Sequence, residues 1–158
     1  MTKKEKITEK IQYISFIIAR EEYGVELIQT KEIIKPLKIT PVPNTSDYIS
    51  GVINLRGQVI PVIDMKKKLN LAIEKDKASS KDEEKIIIIN IKGMLLGLYV
   101  DCVKEVVNLK NSEIKDVKET KNEIEKEFIK GVINIDEKLI IILDLKKLLF
   151  TKKEKKGA

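Results

Sequence analysis

The side chain best suited to recognition chemistry is an arginine placed in a turn. Only Arg20 and Arg56 are arginine in this 158-residue chain, which otherwise takes its positive charge from lysine. Arg56 opens the polar triplet Arg56-Gly57-Gln58, which separates two apolar runs. A planar guanidinium offers a fork of donors that matches a carboxylate or carbonyls, which a lysine ammonium does not. Arg56 is therefore either a contact to a partner or a plain surface residue, and the sequence favours the two about equally.

Side chains that perform catalysis or hold metals are scarce. The chain has no histidine, which excludes a histidine base, metal ligand or phospho-acceptor. Its one cysteine, Cys102, lies in an apolar run and is interpreted as a buried small hydrophobe in a reducing compartment. Phosphate-loop, nucleophile-elbow, zinc-protease and paired-cysteine motifs are absent from the sequence. The sequence therefore predicts no enzyme, no metal and no cofactor.

A β-hairpin within Tyr48–Leu69 is the element that must position Arg56. β-Branched residues dominate the runs on both sides of the turn, and Gly57 supplies the positive φ that a tight turn needs. Such a turn projects its side chains toward partners. The hairpin therefore predicts an exposed Arg56.

The same hairpin returns 80 positions later. Tyr48 corresponds to Phe128 and Asp64 to Asp144, since both pairs differ by 80. Asp136 stands where the first copy has Arg56, so the hairpin itself does not require arginine. The residues with identical partners in the second copy include Gly51, Val52, Ile53, Asn54, Ile60, Asp64, Lys66, Lys67 and Leu69.

Recurrence favours structural roles for several of these residues. Gly51 is expected at a bulge or close backbone approach, and Asn54 in a side-chain hydrogen bond. Asp64 is predicted to cap a short helix. Glu32 recurs as Glu105 and, by its residue type alone, is more often a solvated surface charge.

The front of each copy also repeats, 73 positions apart, with Tyr23-Gly24-Val25 matching Leu96-Gly97-Leu98. The chain is thus one unit used twice: hairpin, short helical turn, extended segment, hairpin and short helix. Each half is predicted to close into a small barrel, because closure removes strand edges. Strands are predicted at 11–20, 23–29, 85–92 and 94–100, a helical turn at 29–35 before Pro36, and a loop with some helix at 108–127.

The net charge of +6 is concentrated at the two ends of the chain. Residues 1–10 contribute +2 and residues 151–158 contribute +3, which leaves +1 for the body. Basic tails of this kind are more often solubilising than nucleic-acid arms. The first ten residues are too polar for a signal peptide, and no apolar run reaches the roughly 18 residues of a membrane span, so a cytoplasmic protein is expected.

The composition and the repeat predict a division of the chain into segments. Whether terminal strands are shared between the two subdomains is left open. The predicted segments are basic tails at 1–10 and 151–158, a first β-barrel subdomain at 11–70, a linker at 71–84 and a second β-barrel subdomain at 85–150.

The segment ITPVPNTSDYISGVINLRGQVIPVIDM resembles the signature of the CheW chemotaxis adaptors. The front segment EEYGVELIQTKEII is similar to their first hairpin, and the resemblance extends from about Tyr13 to Leu149. It implies an all-β fold of two SH3-like five-stranded β-barrels, packed around a shared apolar seam with short helical turns. It also implies an adaptor without catalytic activity.

The same resemblance implies the partners. Such adaptors couple the cytoplasmic tips of methyl-accepting chemoreceptors to the regulatory domain of the histidine kinase CheA. They are cytoplasmic and are recruited to receptor arrays at the inner face of the membrane. They do not insert into the membrane directly, and they do not bind nucleic acid. By position, Thr30, Glu32, Ile33 and Arg56 match receptor-binding residues, and Gly51 matches a kinase-binding residue.

The alternative is a small-barrel nucleic-acid or ligand-binding module acting through its basic tails. Small barrels that bind RNA usually expose aromatic rings for stacking. Most of the few aromatic residues here fall at apolar strand positions, which disfavours this alternative.

Overall fold

The computed structural model describes residues 10–69, 71, 81–116 and 126–150. Within them the chain forms ten β-strands and two short α-helices. Most of the linker and the predicted tails lie outside the described residues, except for Lys10, which begins the first strand. The strands are β1 Lys10–Ile18, β2 Glu21–Glu26, β3 Thr30–Ile34, β4 Ile49–Leu55, β5 Gln58–Ile63, β6 Lys85–Ile91, β7 Met94–Val100, β8 Cys102–Lys110, β9 Ile129–Ile135 and β10 Lys138–Leu143; the helices are α1 Met65–Lys68 and α2 Leu145–Phe150.

The strands make two five-stranded sheets. We call the sheet of order β3-β6-β7-β5-β4 the first barrel and the sheet of order β8-β1-β2-β10-β9 the second barrel. Each is closed by one antiparallel bridge, Thr40 with Val52 in the first barrel and Lys115 with Val132 in the second. In each bridge the two residues exchange two backbone hydrogen bonds, each with a distance of 2.9 Å from the nitrogen to the oxygen. The predicted all-β fold of two five-stranded barrels is confirmed.

Each barrel takes strands from both halves of the chain. The front hairpin β1–β2 lies in the second barrel, while β6–β7 lies in the first. Each of these hairpins joins the other strands of its barrel through one parallel strand pair: β2 pairs with β10, and β7 pairs with β5. The sharing of strands that the sequence left open is therefore present.

The two barrels repeat the same register. Gly24 pairs with Ile142 in the second barrel, and Gly97 pairs with Val62 in the first. These partners differ by 97 − 24 = 73 and 142 − 62 = 80 positions, which are the two spacings seen in the sequence. The repeat is therefore a pseudo-two-fold relation between the barrels.

The predicted helical turn at 29–35 is wrong. The chain makes one 3-10 turn at Leu27–Gln29 and then enters strand β3 at Thr30. Pairing with β6 and burial of the Ile34 side chain in the first barrel outweigh the weak local preference for helix. Strand β2 accordingly ends at Glu26, earlier than predicted.

The segment predicted as a loop at 108–127 begins instead as strand. β8 continues to Lys110 and is followed by a 3-10 turn at Asn111–Glu113. Pairing of β8 with β1 extends the strand to Lys110. Residues 117–125 lie outside the described residues.

Apolar packing is shared across the two barrels. The largest core cluster joins Phe16 and Tyr23 of the second barrel to Ile87 and Leu98 of the first. All four side chains are buried, and burial of each is worth roughly 2 kcal/mol. Cys102 lies at the start of β8 and is half-buried, and burial raises the pKa of its thiol. No helix in the described part of the chain is long and apolar enough to cross a bilayer.

Candidate functional site

Arg56 lies at the tip of the β4–β5 hairpin of the first barrel, and its side chain is 68% exposed. Its guanidinium donates a hydrogen bond to the carboxylate of Glu32 on β3. The structure thus joins two of the predicted site residues, which lie 24 positions apart and which sequence reasoning did not pair. The signal that could have linked them is the opposite charge of a scarce arginine and a recurring glutamate.

A β-bulge aims Glu32 at the hairpin tip. Thr30 pairs with Ile89 and Glu32 with the adjacent Ile88, so Lys31 is the extra residue. A bulge bends a strand and redirects its side chains. The second barrel has the same bulge at Lys104, between Val103 and Glu105, which shows that the repeat preserves this device.

Ile33 and Thr30 face different environments on β3. The Ile33 residue is 39% exposed and points away from the core. The hydroxyl oxygen of Thr30 is buried and has no hydrogen-bond partner among the described residues. In this conformation Ile33 is available to a partner, whereas the Thr30 hydroxyl is not.

An exposed isoleucine beside β3 was missed from the sequence. Ile28 lies on the 3-10 turn that leads from the second barrel into the first, and it is 86% exposed. It borders a surface cavity of about 440 Å³ that is also lined by Ile11 and Leu27. Its repeat counterpart, 73 positions later, is Asp101, whose carboxylate accepts a hydrogen bond from the Ala19 N–H at 2.9 Å. The apolar side chain at this crossover therefore belongs to the first copy alone.

The matching surface of the second barrel carries different charges. Asp136 occupies the place of Arg56, and Glu105 the place of Glu32. Lys138 lies 3.9 Å from Glu105 and 3.8 Å from Glu22. Pairing of the recurring glutamate with a guanidinium at the hairpin tip is therefore a property of the first barrel.

Gly51 lies where two backbone segments meet. It is buried on β4, with a φ of +152°, beside the Thr40 bridge that closes the first barrel. A Cβ at this position would overlap the Thr40 carbonyl oxygen. Gly131 has the same role in the second barrel, where a Cβ would lie 2.7 Å from the Lys115 carbonyl oxygen. The predicted close backbone approach is confirmed.

Other polar side chains form structural bonds. Lys130 donates to the Tyr13 hydroxyl at 3.1 Å and to Glu26 at 3.2 Å. Although burial lowers the pKa of Lys130, these two hydrogen bonds raise it above its ordinary value. Burial, followed by a 2.7 Å hydrogen bond to Glu84, raises the pKa of Tyr99 to about 12.

These polar groups do not converge on a site for chemistry. Within the described residues, no group of three or more His, Cys, Asp or Glu side chains is placed to hold a metal ion. The feature that stands out is therefore the Arg56–Glu32 pair with the apolar side chains beside it.

The chain is similar to known proteins over most of its length. The model of the CheW-like domain family matches residues 12–153. The chemotaxis protein CheW of Bacillus subtilis is 36% identical over 149 residues, which cover 94% of this chain and 92% of that protein. CheW of Helicobacter pylori is 31% identical over 94% of this chain and 87% of its own length. The crystal structure of the scaffolding protein TtCheW from Thermoanaerobacter tengcongensis superposes with a TM-score of 0.79, at 34% identity over 90% of both chains.

Proposed function

Because the chain belongs to the CheW-like domain family, we propose that it is a chemotaxis scaffold that couples transmembrane chemoreceptors to the histidine kinase CheA. A scaffold needs a rigid body with separate faces for its partners. Two closed barrels with a shared apolar core supply that rigidity. Its place is then at the receptor arrays on the inner face of the membrane.

The receptor-binding surface is the edge of the first barrel formed by β3 and the β4–β5 tip. Arg56 and Glu32 supply charge and direction, and Ile33 with the neighbouring Ile28 supplies apolar contact. An interface needs both, since apolar area gives affinity and charges fix register. Thr30 contributes through the path of β3, because its hydroxyl is buried.

Kinase binding depends on Gly51 indirectly. Gly51 is buried, so a partner cannot reach it without rearrangement. It permits the Thr40 segment to close against β4, which sets the shape of the first barrel. The regulatory domain of the kinase then binds the surface that this shape provides. The scaffold itself performs no catalysis.

Buried aromatic residues argue against the nucleic-acid alternative. Tyr13, Phe16 and Tyr23 are fully buried, so their rings are closed to base stacking. The positive charge lies mostly in the tails rather than on a barrel face.

The exposed Arg56–Glu32 pair is the observation that carries the receptor-binding proposal, and charge reversal tests it. Arg56→Asp and Glu32→Lys each place like charges together and are expected to weaken receptor-dependent kinase stimulation by about tenfold, as loss of one interfacial charge contact does. The measurement is kinase activity in a reconstituted mixture of receptor, kinase and scaffold.

Lys92→Asp is the matched control, because Lys92 lies at the tip of the β6–β7 hairpin in the same turn conformation. This variant should keep normal stimulation. Normal stimulation with both Arg56→Asp and Glu32→Lys would remove these residues from the receptor site.

A further inference from the structure

The turn that carries Arg56 is held in a conformation that arginine disfavours. Arg56 has a φ of +50° and Gly57 a φ of +86°, both in the left-handed region. Glycine adopts this region freely, whereas a side chain with a Cβ does so at a cost. The side-chain oxygen of Asn54 accepts a hydrogen bond from the Gly57 N–H at 2.8 Å. Asn54 thus ties the second turn residue back to the start of the turn.

The ion pair cannot hold this turn by itself. Arg56 is mostly exposed, and exposed ion pairs contribute little because water screens them. A two-residue hairpin whose turn returned to negative φ would twist against its strands and point the first turn side chain elsewhere. The guanidinium would then leave Glu32. The direction of Arg56 therefore depends on the backbone, and through it on the Asn54 hydrogen bond.

The β6–β7 hairpin repeats this turn without the arginine. Asn90 accepts a hydrogen bond from the Gly93 N–H at 3.0 Å, and Lys92 has a φ of +56°. Loss of either asparagine removes the same bond from the same kind of turn. The two hairpins therefore separate an effect on the fold from an effect on Arg56.

We propose that Asn54 is a positioning residue for receptor recognition, acting through the direction of the Arg56 guanidinium. The proposal rests on the function proposed above, because it assigns Arg56 to the receptor contact. Asn54 is exposed and β4 is otherwise held by its ladder with β5, so changes at Asn54 leave the core intact.

The test compares Asn54→Ala, Asn54→Asp and Asn90→Ala in titrations of the full chain with a soluble receptor-tip fragment. Asn54→Ala is expected to weaken binding about fivefold, a share of the effect of losing Arg56 itself. Asn54→Asp keeps an acceptor oxygen and should bind within about twofold of the parent. Asn90→Ala should bind like the parent, although both alanine variants lower the melting temperature to a similar extent.

Two further readouts separate positioning from stability. In an Arg56→Ala background, Asn54→Ala should weaken binding no further, because the group that it positions is gone. Amide hydrogen exchange at Gly57 should be faster in Asn54→Ala, which reports loss of the turn bond directly.

The outcomes separate this inference from the function on which it rests. Equal weakening by Asn54→Ala and Asn90→Ala, or an undiminished effect of Asn54→Ala in the Arg56→Ala background, overturns the positioning role. Parent-like binding by Asn54→Ala together with weak binding by Arg56→Asp overturns this inference alone. Parent-like binding by Arg56→Asp overturns the assigned receptor site, and the positioning role falls with it.

Discussion

Exposure decides what the Arg56–Glu32 pair can contribute. With side chains 68% and 30% exposed, the pair stabilises the fold by at most about 1 kcal/mol. If the pair contacts the receptor as proposed, removal of either partner should change recognition far more than it changes folding. A surface residue of this kind tolerates substitution structurally, which makes it a clean probe of partner contacts.

Gly51 has the opposite character, and its substitution should damage the fold. Gly51→Ala is expected to lower the free energy of unfolding by about 3 kcal/mol, because the new Cβ overlaps the Thr40 carbonyl oxygen inside a packed region. Urea unfolding measures the loss.

Gly57→Ala is the control, since a Cβ there meets no atom and carries only the strain of a φ of +86°, about 1–2 kcal/mol. Equal losses in the two variants would contradict the close approach at Gly51. If Gly51→Ala also weakens kinase binding, the temperature dependence of that defect should follow barrel stability.

Ionisation of the Tyr99 hydroxyl makes the free energy of unfolding depend on pH in the alkaline range. Its pKa is 10.0 in the unfolded chain and about 12 in the folded protein, with burial the main cause and the Glu84 hydrogen bond the next. Above pH 10.0 the unfolded chain loses this proton while the folded protein keeps it, so stability falls as the pH rises toward 12. Tyr99→Phe should make this fall shallower in urea unfolding series.

Glu84→Gln supplies the matched test for Tyr99. The substitution removes the negative charge of Glu84, whereas the glutamine side-chain oxygen can still accept the hydrogen bond, so the pKa of Tyr99 should move down part of the way toward 10.0. The ultraviolet absorbance of tyrosinate reports the titration. An unchanged titration in Glu84→Gln would show that the charge of Glu84 does not contribute to the shift.

At the scale of single elements, the hairpin turns share one conformation but not one sequence. Arg56-Gly57 and Lys92-Gly93 place glycine second, whereas Asp136-Glu137 holds two non-glycine residues at φ values of +48° and +66°. A hairpin with a two-residue turn of this hand matches the twist of its strands, so the β9–β10 hairpin adopts it in spite of its residues, as does the β1–β2 hairpin at Ala19 and Arg20. The β9–β10 turn is therefore strained.

Glu137→Gly should relieve that strain. The free energy of unfolding is expected to rise by about 1 kcal/mol, because glycine adopts a φ of +66° without the Cβ penalty. Glu137→Ala removes the same charge but keeps the Cβ, and it should give no gain. Thermal unfolding of the two variants decides between strain and charge.

Local patterns predicted the hairpins but not strand β3, which forms part of the proposed receptor-binding surface. The hairpins and the helix cap were predicted from short-range signals, namely the alternating runs, the turn glycine and Asp64. The carboxylate of Asp64 does cap the helix, since it accepts a hydrogen bond from the Lys67 N–H at 3.2 Å. Strand β3 is only five residues long, and its conformation depends on pairing with β6, which lies more than 50 positions away. The bulge at Lys31 and the meeting of Glu32 with Arg56 depend on the same distant pairing, so the sequence showed the residues of the site without their geometry.

At the scale of the whole molecule, the repeat predicted two barrels but left open which hairpin belongs to which. Two equivalent hairpins carry the same apolar pattern, so either could complete either barrel. The connections between strands determine which hairpin completes which barrel. The 3-10 turn at Leu27–Gln29 leads from β2 in the second barrel to β3 in the first, and Asp101 lies between β7 in the first barrel and β8 in the second. Such choices depend on loop geometry rather than on the pattern of apolar residues.

Shared strands predict that neither half folds alone. A chain divided within 72–80 gives fragments that each lack two strands of one barrel and three of the other. Each fragment is expected to show no cooperative unfolding transition by circular dichroism, while the mixture recovers the β-sheet signal and a single transition. A cooperative transition in either isolated fragment would show that one barrel can form without the exchanged hairpin.

The pseudo-two-fold exchange of hairpins also has a consequence for ancestry. Removal of the connection between the copies leaves the arrangement of a symmetric homodimer, in which each subunit lends its front hairpin to its neighbour. A polypeptide containing one copy would therefore be stable only as a pair. In the single chain the two copies are joined permanently, so they can differ at equivalent positions: one has Arg56 and Ile28 where the other has Asp136 and Asp101.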